Sequence, residues 1–239
     1  VAATQGMVGH ELSLHLQGIL ERRKRPERTV VVATHVEVQA DDPGFTRPVK
    51  PVGPILDAET VMTADWDIAE TIHGPRRVVA SPRPLRIVEL EVIRHLVALR
   101  AVVICGGGGG VPVINTNGHL VGAPAVIDKD HLSCRLALDL NADALIISTD
   151  ADAIYSDFGT PTAHAHHKLA THDVKGMIEN GQFPAGSMLP KVNALKDFAE
   201  QSAGGRAMLC RPGDVLLVLR GDGGTTIVSD EAVDGESHS

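Results

Sequence analysis

Near the start of the chain, Val8, Leu12, Leu16 and Ile19 recur at the spacing of one helix face, behind Thr4 as a candidate cap. This predicts an amphipathic helix over about residues 5–22, followed by a charged exit turn over 21–28 and a buried strand at Thr29 to Thr34. Residues 35–54 are rich in Pro and Asp and read as a long functional loop. Trp66 to Ile72 and Arg76 to Ala80 flank His73-Gly74-Pro75 as a small hairpin. A helix at Ile87 to Leu99 then feeds the β-branched run Ala101 to Cys105, and Val111 to Ile114 with His119 to Gly122 bracket a second hairpin turn. Further helices are expected at Asp128 to Leu140, Asp173 to Asn180 and Met188 to Ser202, with strands at Ala144 to Thr149, Ala207 to Cys210 and Thr225 to Val228. Such alternation predicts an α/β chain with a mostly parallel open sheet and helices on both faces. We expect one domain over residues 1–229, a hairpin excursion at about 57–84, and a disordered acidic tail over 230–239.

Composition narrows the picture. The 239 residues are 43% hydrophobic but only 3% aromatic, so the core must be built from Val, Ile, Leu and Ala, as in two-sided parallel strands. A formal net charge of -8 argues against a nucleic-acid partner. No apolar run reaches the roughly 18–20 residues that span a bilayer, and no secretory leader pattern opens the sequence. Cys105, Cys134 and Cys210 are too few and too scattered for a disulfide framework or a zinc ribbon. The expected compartment is the cytoplasm, with neither nucleic acid nor membrane as a partner.

The candidate chemistry centres on five consecutive glycines, Gly106 to Gly110, at the end of a buried-looking strand. They are either a nest of bare N–H groups for an anion or a flexible surface turn. The run is neither a Walker A loop nor a Rossmann fingerprint, because the residues after it are extended and carry no Gly-Lys-Ser or Gly-Lys-Thr ending. Asp128 and Asp130 suit a helix start, but Lys129 between them opposes the helix dipole unless a polyanion joins it. Lys191 repeats that anomaly at the start of the helix after Gly186-Ser187-Met188, and Lys50, between prolines in the long loop, is a third candidate cation. Asp150 and Asp152 follow Thr149 at a strand end and either hold magnesium through water or begin a turn. His164, His166 and His167 cluster in what reads as an exposed loop, a weak metal candidate.

Taken together, these stretches resemble the carbamate kinases of the amino acid kinase family. The resemblance runs from Thr4 to about Val228. It is carried by Thr4-Gln5-Gly6-Met7-Val8-Gly9, Thr34 to Gln39, Lys50-Pro51-Val52-Gly53-Pro54, Arg76 to Pro84, the glycines with Val111-Pro112-Val113, Ala125 to Asp130, Thr149 to Tyr155, Phe158-Gly159-Thr160-Pro161, and Ala185 to Val192. It implies a three-layer α/β/α sandwich, a homodimer, and reversible phosphoryl transfer between ATP and carbamate to give ADP and carbamoyl phosphate. Gly107, Gly108, Gly109 and Gly110 would then hold carbamate or the acyl phosphate. Lys129, oriented by Asp130, and Lys191 would stabilise the moving phosphoryl group, while Lys50 closes over the substrate. Thr149, Asp150, Asp152, Tyr155, Met188 and Lys191 would line the nucleotide site, with magnesium bridging the phosphates.

The sequence also departs from the family pattern. Family members carry a strand and a Gly-Gly-Asn loop ahead of the first helix, and the residues here begin after it. The resemblance therefore implies an N-terminally incomplete kinase without substantial activity, or else a non-catalytic paralogue that keeps the dimer and weak nucleotide binding. A related kinase acting on an amino acid is disfavoured by the Lys50 motif. Leu189 replaces the family glycine and would distort the lysine loop if its φ were positive, and Gly106 replaces a small non-glycine residue.

Overall fold

The computed structural model describes residues 1–71, 73–184 and 186–230, and the chain divides into two compact units, Val1–Leu132 and Ser133 onward. The first unit opens with helix α1 (Ala2–Arg22), which leads into strand β1 (Thr29–Val31). This helix docks by a face its periodicity did not indicate. Its buried residues are Gln5 and Gly9, whereas Val8, Leu12 and Ile19 of the apolar stripe are 51%, 48% and 39% exposed. The seam instead follows a polar i, i+4 row. Thr34 donates its N–H to Gln5 Oε1 at 2.8 Å, Ser13 Oγ lies 2.8 Å from Thr29 Oγ1, and Thr29 donates its N–H to Gln17 Oε1 at 3.1 Å. Gly9 permits the close approach, since a Cβ there would lie 2.5 Å from Val31 Cγ1. Nor does Thr4 cap the helix, which begins at Ala2 and has Val1 as its side-chain-silent N-cap.

After β1 come β2 (His35–Glu37), β3 (Lys50–Val52), α2 (Ala58–Thr63), β4 (Ile68–Thr71), β5 (Gly74–Val79), β6 (Arg86–Ile87), α3 (Leu90–Ala98), β7 (Val102–Ile104), β8 (Val111–Thr116), β9 (His119–Gly122) and α4 (Lys129–Asp139). Strand β1 pairs in parallel with β7. A second sheet has the order β6-β2-β8-β9, with β2 and β8 parallel and the outer pairs antiparallel; a third, β3-β5-β4, is antiparallel. Both expected hairpins, β4–β5 and β8–β9, are present. The segment 35–54 is not one long loop. It supplies β2 to the sheet and β3 to an edge, where Pro51 is tolerated because one side of an edge strand needs no N–H donor. Helix α3 starts later than expected because Ile87, 1% exposed, is drawn into antiparallel pairing with Val36.

The second unit holds β10 (Ala144–Ser148), β11 (Ile154–Ser156), β12 (His164–His166), β13 (Lys168–Ala170), α5 (Thr171–Glu179), α6 (Met188–Gln201), β14 (Arg206–Cys210), α7 (Val215–Arg220) and β15 (Thr225–Val228). Its main sheet runs β10-β14-β15-β13, with β10–β14 and β13–β15 parallel and β14–β15 antiparallel. Val192, Leu195 and Phe198 of α6 close over Leu209 and Ile227 in a core with no exposure at any of these positions. Strands β11, β12 and β13 and helix α7 carry no periodicity of their own that predicts them. Of the histidines expected in a loop, His164 and His166 lie instead on β12, which pairs with β11, while His167 falls between β12 and β13, and Thr225 secures the β11–β12 hairpin by accepting the Ile154 N–H at 2.8 Å. Ile72, Ala185 and the expected tail beyond Asp230 fall outside the described residues. Among the described residues no helix is long and apolar enough to cross a membrane.

Because Phe198 fills the centre of the second unit's core, Phe198→Ala should cost about 3–5 kcal/mol in urea unfolding. A loss below about 1 kcal/mol would mean that this core does not depend on α6.

Candidate functional site

In the first unit the glycine run leaves β7 and turns in left-handed backbone. Gly106, Gly108, Gly109 and Gly110 have φ of 69°, 67°, 90° and 80°, a region that penalises any side chain. Two of them are also pinned by close neighbours. A Cβ at Gly109 would lie 2.0 Å from the Ile127 carbonyl oxygen, and one at Gly110 would lie 2.3 Å from Val36 Cγ2. The loop is therefore an ordered turn rather than a flexible one, and Gly106 suits its own left-handed φ.

Thr34 anchors this turn. It is 1% exposed, and its Oγ1 accepts the Gly106 N–H at 2.8 Å while donating to the Val32 carbonyl at 2.9 Å. Its own carbonyl accepts from Val111 N–H at 2.8 Å and from Gln5 Nε2 at 3.3 Å. Inside the turn, Gly109 donates to the Gly106 carbonyl at 3.0 Å and Gly110 to that of Gly107 at 3.3 Å. Of the four glycine amides expected to meet an anion, two are thus engaged in holding the turn, which leaves those of Gly107 and Gly108 for an outside acceptor. The Cys105 thiol beside them is pushed up in pKa by burial, so it stays protonated at neutral pH.

The same unit places Asp128 at the start of α4. Its Oδ1 accepts the N–H groups of Asp130 and His131 at 2.9 and 3.3 Å, the geometry of an N-cap. Its Oδ2 accepts from Lys50 Nζ at 2.5 Å. Burial opposes the charge on Asp128, but the hydrogen bond and charge of Lys50, with the charge and amide of His131, outweigh it and hold the carboxyl below its ordinary pKa. The sequence reading treated Asp128 only as a cap. Its second task was not legible, because Lys50 is 78 residues away and meets it through the β3 edge. Lys129 is exposed and Asp130 buried in the first turn of α4.

In the second unit, Thr149 follows β10, and its N–H donates to the Cys210 carbonyl at 3.0 Å. Beyond it Tyr155 donates its hydroxyl to Asp152 Oδ1 at 3.1 Å, and Tyr155 meets Phe158 edge-on at 5.6 Å between ring centroids. Arg211, absent from the sequence-derived candidates, reaches the same turn. Its Nε donates to the Asp150 carbonyl at 3.3 Å, and its Nη2 lies 3.7 Å from Asp152 Oδ1. Met188 begins α6 half-buried, and Lys191 follows in the helix. Leu189 is helical, and no positive φ occurs there, so the feared distortion does not arise. Among the described residues no group of three or more His, Cys, Asp or Glu could hold a metal ion.

Comparison with known proteins agrees with this layout. The amino acid kinase family profile matches residues 53–210. The carbamate kinase of Halobacterium salinarum is 39% identical over 232 residues, covering 95% of this chain and 74% of that protein. A carbamate kinase-like protein of Escherichia coli is 40% identical over 231 residues, again 95% and 74%. Among solved structures, the carbamate kinase of Giardia lamblia bound to AMP-PNP superposes with a TM-score of 0.85 at 33% identity, over 96% of this chain and 74% of that one. A protein from Aeropyrum pernix superposes with a TM-score of 0.83 at 36% identity, over 95% and 75%.

Two outcomes test the geometry. Thr34→Val removes the acceptor of the Gly106 N–H and should cost about 1–3 kcal/mol by urea unfolding; an unchanged stability would dissolve the anchor. Because the folded Asp128 pKa is depressed, its contribution is present above the ordinary carboxylate pKa of about 4 and is lost as pH falls through the folded value. Asp128→Asn should therefore flatten the acid side of the stability profile, and parallel profiles for the two proteins would contradict the Lys50 pairing.

Proposed function

Because the chain belongs to the amino acid kinase family and is a phosphotransferase by fold, we propose that it is a carbamate kinase, moving a phosphoryl group reversibly between ATP and carbamate. The observation that carries this reading is the ordered left-handed turn with the Gly107 and Gly108 amides open. Two adjacent N–H groups on a rigid turn match the carboxylate of carbamate or the acyl phosphate of carbamoyl phosphate, and need no side chain to do so. The relatives named as carbamate kinases support the substrate class.

The parts then take roles. Phosphoryl transfer asks the protein mainly to position two anions and neutralise charge on the group in flight. In the first unit, Gly107 and Gly108 bind the acceptor, helped by the turn-forming Gly109 and Gly110. Lys129, exposed beside the buried Asp130, stands in the first turn of α4, where helix N–H groups and a cation together suit a phosphate. Lys50 is held ready by Asp128. In the second unit, Lys191 occupies the equivalent end of α6, and Thr149, Asp150, Asp152, Tyr155 and Met188 form the nucleotide side. Magnesium belongs to the substrate in this reading: it arrives on the nucleotide phosphates. The reading includes residues 1–229 acting as one kinase domain, a homodimer, and a cytoplasmic setting.

In a form that carries the strand and Gly-Gly-Asn loop of the family ahead of the first helix, ADP and carbamoyl phosphate should yield ATP, and Lys191→Ala should lower that rate by orders of magnitude, on the scale of about 10²–10³ for loss of one charge-stabilising donor. Binding of ADP without turnover would favour the alternative, a non-catalytic member of the family. Turnover unaffected by Lys191→Ala would remove that lysine from the mechanism.

A further inference from the structure

The C-terminal end of β14 carries a side chain that the functional reading has not used. We propose that Arg211 is the positioning residue of the nucleotide side, clamping the Asp150–Asp152 turn and, through Asp152, setting the Tyr155–Phe158 pair as a platform for the nucleobase. This rests on the assignment of Asp150, Asp152 and Tyr155 to nucleotide binding given above.

Strands β10 and β14 are parallel neighbours, with Ser148 opposite Cys210, so the residues that follow each strand emerge side by side. Thr149 is already tied to the Cys210 carbonyl, and the next residue on β14's side is Arg211. A planar guanidinium can reach two acceptors at once, and this one faces both the Asp150 carbonyl, at 3.3 Å, and the Asp152 carboxylate, at 3.7 Å. The carboxylate is shared, because Tyr155 donates its hydroxyl to the same Oδ1. From there the aromatic contact passes to Phe158, which is 71% exposed.

Burial does not hold this arrangement. Arg211 and Asp152 have side chains 55% and 46% exposed, so their order comes from polar contacts rather than from packing. The exposed Phe158 ring, with half-buried Tyr155 edge-on beside it, is a surface on which a flat heteroaromatic base can stack. A lysine at 211 would supply charge but could not span the carbonyl and the carboxylate together.

The chain offers a built-in reporter, because Tyr155 is its single tyrosine. Its phenol is raised in pKa by the hydrogen bond to Asp152, with burial and the Asp152 charge adding to the rise and the positive charge of Arg211 opposing it. Ultraviolet titration of the phenol should therefore show a higher midpoint in Arg211→Ala than in the unsubstituted protein, and a lower one in Asp152→Asn. By calorimetry, Arg211→Ala should weaken ADP binding about tenfold, with carbamoyl phosphate binding unchanged, and Arg211→Lys should recover little of the loss. If ATP formation is followed, KM for ADP should rise while kcat holds. An unchanged phenol midpoint in Arg211→Ala would overturn the clamp, and a shifted midpoint with unchanged ADP affinity would overturn its role in nucleotide binding. Failure of the unsubstituted protein to bind ADP would instead overturn the nucleotide reading itself, and this inference with it.

Discussion

The hydrogen bonds of Thr34 are the constraint on which the first unit depends. One buried residue ties the first helix through Gln5, the β7–β8 connection through Gly106, and the start of β8 through Val111. A buried hydroxyl and its flanking peptide groups are costly to leave unpaired, so satisfying them together fixes where the glycine turn must stand. The glycines then have little freedom left. The left-handed φ of four of them and the close approach of Ile127 and Val36 convert a run of high intrinsic flexibility into one fixed turn.

Charge placement follows a consistent rule in both units. Lysines stand at helix starts, Lys129 in the first turn of α4 and Lys191 near the start of α6, and the proposed function gives both a phosphate to meet. The first unit partly offsets its own excess through Asp128, which caps α4 while holding Lys50. In the second unit Arg211 lies against the Asp150 carbonyl and the Asp152 carboxylate.

Much of this was legible in the sequence, and the exceptions share a cause. Long apolar runs and glycine punctuation located α1, α4, α6, β10, β15 and both early hairpins, because these elements carry their own periodicity or turn chemistry. Three-residue strands such as β2, β3 and β12 carry none, and exist because a partner strand completes them. Helix α1 shows a subtler limit: its apolar stripe marked it as a helix but pointed to the wrong docking face, since Gln5, Ser13 and Gln17 bond across the seam. At the candidate site the glycines, Lys50 and the Asp128–Asp130 stretch could be named from their residue types. The ion pair of Lys50 with Asp128 and the reach of Arg211 to Asp152 could not, because both span distances in sequence that only the sheets close.

On the proposed function, the glycine turn offers the amides of Gly107 and Gly108, and not that of Gly109, to an anion. Backbone amide resonances of nitrogen-15-labelled protein titrated with carbamoyl phosphate test this directly. The largest saturable shifts should fall at Gly107 and Gly108, with Gly109 little changed because its N–H already serves the Gly106 carbonyl. Unmoved glycine amides, with saturable shifts elsewhere, would contradict it.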